Sequence, residues 1–182
     1  MVKGLIILGY QGIGKSTLCN ECCHEDIIDF ESSLFKIDDI RPIKWEVMYC
    51  TQALNIAKQG YTVLLSSHKI VRRELSKICD QNEVAIITIA PSCELKDKWI
   101  DKLRRRYKYD PSNKNYAALK NAEEGYCEQV ISLASEPEFS HIFIHSMDYS
   151  LGCIIRNLQN IYITSYNNNK IVDFENSMDM KF

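Results

Sequence analysis

Eight consecutive residues carry the plainest chemistry in the sequence: Gly9-Tyr10-Gln11-Gly12-Ile13-Gly14-Lys15-Ser16. They fit G-x-x-x-x-G-K-[ST] without a gap. Glycines let the backbone wrap closely around oxygen atoms at positive φ. The loop N–H groups, from Gly9 through Gly12, Ile13 and Gly14, then point at phosphates, with a helix N-terminus behind them. Lys15 reaches the β- and γ-oxygens, the Ser16 hydroxyl ligates Mg²⁺, and Thr17 lies near the α-phosphate. At ordinary residue frequencies such a match arises at roughly 4 × 10⁻⁵ per starting position. A short apolar strand precedes it and a helical pattern follows, as the mechanism requires. Gly12-Ile13-Gly14 does not continue as G-x-G-x-x-G, which excludes the dinucleotide-binding reading. The expected cofactors are ATP and Mg²⁺.

Three further clusters offer chemistry. Asp29, in Asp26-Ile27-Ile28-Asp29-Phe30-Glu31-Ser32-Ser33, ends an apolar run, with Glu31 and the hydrogen-bonding serines just beyond. Leu64-Leu65-Ser66-Ser67-His68-Lys69 ends another and leads to Arg72 and Arg73. No carboxylate stands at the end of that run, where many ATPases place a metal-binding Asp, which counts against a motor-type ATPase. The third cluster is basic: Lys98, Lys102, Arg105 and Arg106 recur at helical spacing and are expected to share one stripe. Two other uses of that stripe are a solvated face paired with Glu94, Asp97 and Asp101, and a nucleic-acid patch with Trp99, Tyr107 and Tyr109 as stacking rings.

These clusters need elements to hold them. Apolar runs of strand length fall at Leu5–Leu8, Ile27–Phe30, Tyr61–Leu65, Val84–Ala90 and Ser140–His145. Between them lie helical patterns at Lys15–His24, Ile43–Gln59, Lys69–Asp80, Ser92–Tyr107 and Tyr116–Ala134, with another at Ser150–Asn160. Tyr107–Asn115 reads as a polar loop around Pro111. Strands separated by helices imply right-handed crossovers and a parallel sheet covered on both faces. The expected fold is three-layer α/β, a doubly wound sheet of about five parallel strands of the P-loop type. Ligands of such sheets bind beyond the carboxyl ends of the strands, where all three clusters sit. The main domain is residues 1–160; residues 161–182 read as a hairpin appendage or a loose tail, on the alternation from Ile161 to Tyr166 and the Asn167-Asn168-Asn169 turn signal.

Composition bounds the rest. Of 182 residues, 46% are hydrophobic and 25% charged, an ordinary globular balance able to bury a core unaided. A net charge of −2 supplies no global field toward nucleic acid or membrane. No run is long enough to span a bilayer, and nothing signals an assembly state. The eight cysteines follow no signal-peptide pattern, so free thiols in a cytoplasmic protein are expected. Cys19, Cys22 and Cys23 with His24 suggest zinc only superficially; a thiol-rich core face explains them better. Trp45, Met48 and Tyr49 suit base stacking or core packing equally.

On the strict motif at Gly9–Ser16 and looser likeness across residues 1–160, the chain resembles the small nucleoside and nucleotide kinases of the P-loop class, nearest to the stand-alone kinases that bacterial viruses carry. It lacks the Asp-Gly-x-Pro-Arg that adenylate kinases often have after the third strand. The resemblance implies an acceptor lobe near 31–50 and a lid near 104–115. Kinases for shikimate, gluconate or polynucleotide 5′ ends resemble it in the carboxylate after the second strand, so Asp29 would take the acceptor proton or hold Mg²⁺ through water. Lys15, Asp29, Arg105 and Arg106 would be catalytic, the arginines by closing over the transferring group. Glu31, Ser32, His68, Lys69 and Arg72 would meet the substrate. The implied reaction is Mg²⁺-dependent transfer from ATP to a nucleoside monophosphate or nucleoside. The alternatives are a polynucleotide 5′-hydroxyl kinase, for which nucleic acid would be the partner, and a regulatory ATP-binding module with little turnover.

Overall fold

Leu5, Ile6, Ile7 and Leu8 are each fully buried, as an apolar run with a sheet neighbour on each side demands. They form the heart of β1 (Gly4–Gly9) in a computed structural model that describes residues 2–21, 26–36, 38 and 40–164. β1 pairs in parallel with β3 (Thr62–Ser66) on one side and β4 (Val84–Pro91) on the other. β2 (Ile27–Asp29) adds beyond β3, and β5 (Ser140–Ile144) beyond β4. The sheet is thus five-stranded and wholly parallel, in the order β2-β3-β1-β4-β5.

Successive side chains of a strand face opposite layers, so the sheet divides the core in two. Ile6, Leu8, Val63 and Leu65 pack under α2 (Trp45–Ala57) and α3 (Lys69–Ile78), against Tyr49, Ala53, Val71 and Leu75. Leu5, Ile7, Ile87 and Ile89 pack on the other face, against Trp99 and Leu103 of α4 (Lys96–Tyr109), Tyr126 of α5 (Asn113–Leu133) and Ile155 of α6 (Leu151–Gln159). α1 (Lys15–Glu21) follows the glycine-rich loop directly. Gly125 interrupts α5 with φ −159° and ψ 45°, bending the helix along the cleft.

Several expected boundaries move. The polar stretch 107–115 is helical except at 110–112, because α4 runs to Tyr109 and the Ser112 hydroxyl caps α5 by accepting from the Asn115 N–H. Ser92 caps nothing with its side chain: a 3₁₀ turn, Cys93–Leu95, intervenes before α4, and the Ser92 hydroxyl is buried without a partner. Residues Asn160–Thr164 form a π-helical turn that continues α6 instead of starting a strand. The rest of the expected appendage, 165–182, lies outside the described residues, as do Cys22, Cys23 and His24. The six described cysteines are all free thiols. No described helix is long and apolar enough to cross a membrane.

Candidate functional site

Gly12 and Gly14 hold φ of 77° and 104°, a region that side chains with a Cβ rarely adopt, and this turns the loop after β1 back on itself. Gly12 has a second constraint: a Cβ there would lie 2.8 Å from Leu103 Cδ2, because α4 packs on the loop's outer face. That face is also fastened by hydrogen bonds. The Trp99 indole N–H donates to the Gln11 carbonyl at 3.0 Å, and the Tyr149 hydroxyl to the Ile13 carbonyl at 2.9 Å. Lys102 donates to the Tyr149 hydroxyl at 3.0 Å and sits 4.4 Å from the Trp99 ring centroid. Inside the loop the Ile13 N–H donates to the Tyr10 carbonyl at 3.1 Å, and the Tyr10 N–H to the Ile89 carbonyl at 2.9 Å, so the turn is held from both sides.

Lys15 folds back over the loop, its Nζ donating to the Gly9 carbonyl at 3.2 Å. Burial lowers its pKa; Asp29 and Glu31 oppose that, while Lys114 and Arg106 reinforce it. Ser16 Oγ donates to Asp29 Oδ2 at 2.9 Å and lies 3.5 Å from Glu31 Oε1. A hydroxyl and a carboxylate so close suit Mg²⁺, which takes one or two protein oxygens and fills its shell with phosphate and water. Among the described residues no group of three or more His, Cys, Asp or Glu side chains is placed to hold a metal ion. Glu31 also accepts from Ser33 at 3.0 Å and pairs with Lys114, and the Lys114 contact is the main reason its carboxyl titrates below the usual range.

The cleft around these groups has a volume of about 1570 Å³ and reaches from Thr17 and Gly152 to Arg41 and Ser132. At its far end the Arg41 guanidinium lies 4.2 Å from the Trp45 ring centroid and donates to Ser32 Oγ at 3.0 Å. Its Nε–H is buried without a partner. His68 stands in the cleft beside it. Enclosure lowers the imidazole pKa first, and the charges of Arg41, Lys15 and Arg72 lower it further. Tyr49 braces this end: its hydroxyl donates to the Phe30 carbonyl at 2.6 Å and accepts from the Ser66 N–H at 3.1 Å. It is fully buried, and burial pushes its phenol to about 12.

Most residues singled out in the sequence meet here: Gly9, Gly12, Ile13, Gly14, Lys15, Ser16, Thr17, Asp29, Glu31, Ser32, His68, Lys69, Arg72 and Arg106 all line the cleft. Two expectations need correction. Arg72 is only 4% exposed and spends its donors on protein: Nε on Glu136 at 3.0 Å, Nη1 on the Ser67 carbonyl at 2.8 Å, and Nη2 on the Ser132 carbonyl and hydroxyl at 2.9 and 2.7 Å. It is a strut tying α3 to the end of α5, with little left for an acceptor. The basic stripe also divides. Lys102 and Arg106 follow Trp99 and Leu103 onto the cleft side of α4, whereas Lys98 and Arg105 face solvent, and neither lines the cleft. Of the three rings expected to stack on a nucleic-acid strand, Trp99 is 0% exposed under the loop, whereas Tyr109 is 93% exposed.

Sequence reasoning passed over Arg41, Lys114 and Tyr149. Arg41 precedes α2 in an irregular stretch, which gave no signal for the first. Lys114 was hidden in a stretch read as loop.

No known family model matches the chain, and no curated protein matches it in sequence. Among solved structures, a gluconokinase from Sinorhizobium meliloti 1021 superposes with a TM-score of 0.50 at 14% identity, over 91% of this chain and 96% of that one. The likeness is one of fold: a wholly parallel five-stranded sheet with helices on both faces, also used by a P-loop kinase.

Proposed function

We propose that this chain transfers the γ-phosphoryl group of ATP to a small acceptor, a nucleoside monophosphate or nucleoside being the leading class. The observation that carries the reading is the Ser16–Asp29 hydrogen bond of 2.9 Å, between the loop hydroxyl that takes Mg²⁺ and a carboxylate on the acceptor side. Donor and acceptor groups thereby face each other in one cleft. Lys15 would hold the β- and γ-phosphates, Ser16 and Asp29 would hold Mg²⁺, and Arg106 would cover the transferring group. Mg²⁺, when bound, supplies charge neutralisation across the β- and γ-oxygens. Arg41, with Ser32, His68 and Lys69, would receive the acceptor's anionic group; a guanidinium stacked on an indole is already oriented for two-point contact.

A second acceptor class has an observation of its own. Beside the loop the cleft wall carries Gln11, Asn121, Gln129 and Ser132. Amides and hydroxyls of this kind suit a hydroxylated acid, and the gluconokinase likeness is compatible with one. For the polynucleotide reading Trp99 is buried and offers no stacking face, which leaves it Tyr107 and Tyr109. The test is incubation with γ-labelled ATP and a panel of nucleosides, nucleoside monophosphates, sugar acids and 5′-hydroxyl oligonucleotides. Label on a small acceptor is the expected result. Label on none, beside Lys15-dependent ATP hydrolysis, would overturn the kinase reading and favour a regulatory module.

A further inference from the structure

Lys114 occupies the second position of α5. A cation there opposes the helix dipole, and no acidic residue in the first turn compensates it. The charge therefore does nothing for its own helix. Its carboxylate partner is Glu31, 83 residues away and on the opposite wall of the cleft. That same carboxylate lies 3.5 Å from the Ser16 hydroxyl. The pair is open to water, with side-chain exposures of 62% and 37%, and ion pairs so exposed are weak enough to exchange partners. Lys15, Arg106 and Lys114 all border the cleft around the loop.

We infer that Lys114 is a further catalytic residue, contacting the transferring phosphoryl group, and that Glu31 parks it until nucleotide arrives. The inference rests on the phosphotransfer reading above. Ser16 and Asp29 would hold Mg²⁺ beside Glu31, whose oxygens would then have a divalent charge as an alternative to Lys114. The γ-phosphate at the same time offers Lys114 a stronger anion than a shared carboxylate. During transfer a bond forms from the acceptor oxygen to phosphorus, and where that oxygen belongs to a hydroxyl its proton passes to the Asp29 carboxylate. The bond from phosphorus to the β–γ bridging oxygen breaks, and its electron pair leaves with ADP. Lys114 gives up no proton; it remains an ammonium opposite the equatorial oxygens, where charge is spread in the transition state.

The experiment compares wild type, Lys114→Gln and Lys114→Arg in two assays. Steady-state transfer gives kcat and the KM for ATP. Calorimetry gives the affinity for Mg²⁺·ADP with and without aluminium fluoride, which imitates the group in flight. Lys114→Gln should lose about 10²-fold in kcat, as removal of a single charge-stabilising donor does. It should bind Mg²⁺·ADP within about threefold of wild type while losing most of the fluoride-dependent gain in affinity, and Lys114→Arg should recover much of both, the charge being retained. Unchanged analogue affinity in Lys114→Gln would overturn the proposal. So would an equal loss for Mg²⁺·ADP alone, which would make Lys114 a ground-state binding residue. A wild type that transfers to no acceptor sinks the proposed function instead; the fluoride arm needs no acceptor and decides Lys114 by itself.

Discussion

The donor side of the cleft is held from every layer, whereas the acceptor side rests on a few short pieces of chain. The glycine-rich loop grows from a six-residue central strand that is buried throughout and paired on both edges. Its carbonyls are then fastened by Trp99 and Tyr149, from two other elements. The acceptor side begins from β2, three residues at the sheet edge. It continues through a four-residue 3₁₀ turn, Ser32–Phe35, and enters α2 through Lys44 at a φ of 61°. Leu34, Ile40 and Ile43 are 70%, 72% and 94% exposed along the way. Local stability follows buried apolar contact, so the two sides differ in how readily they rearrange. A triphosphate is the same in every turnover and favours a fixed cradle. An acceptor has to enter, be gripped and leave, and the looser side suits that.

The contrast can be broken or sharpened by substitution. Lys15→Ala strikes the fixed side and should lower kcat/KM by roughly 10³-fold, measured by steady-state transfer with ATP varied, since it removes a charge aimed at the transferring group. Arg41→Ala strikes the other side: a charge-assisted contact to an anion is worth about 1.5–3 kcal/mol, so the acceptor KM should rise about 10- to 100-fold with the ATP KM nearly unchanged. An equal rise in both would mean that the sides are not separable. Within α4, Arg106→Ala should lower kcat by about tenfold through lost charge stabilisation. Arg105→Ala, at an exposed position off the cleft, should stay within about twofold of wild type. A reversed order in that pair would restore the single basic stripe expected from spacing alone.

Sequence and structure agree best where chemistry is local. The loop and all five strands were legible, because apolar runs and the glycine spacing depend on neighbours along the chain. So was the doubly wound arrangement, since strands parted by helices leave few other solutions. What sequence could not show was which charges were already committed. Arg72 and Arg73 look alike in the chain, yet Arg72 meets Glu136 from 64 residues away and becomes a strut. Lys102 and Arg105 differ only in helical phase, and Trp99 decides the phase by burying itself under the loop. Lys114 was missed because Pro111 and the asparagines around it signal a loop, while the Ser112 cap starts a helix among them. Arg41 sits beside Pro42 in a stretch without periodicity, and only the stacking on Trp45 gives it a place.

The account turns on Asp29 as the meeting point of the two sides. The direct measurement is Asp29→Asn, with label transfer from γ-labelled ATP and calorimetric ATP affinity read on the same preparation in Mg²⁺. Loss of transfer by about 10²-fold or more, with ATP affinity within a few fold of wild type, is the expected result, because the carboxylate serves the acceptor and the metal while the loop N–H groups and Lys15 still hold the phosphates. Transfer that persists, or ATP affinity that falls in step with it, would contradict the division of the cleft drawn here.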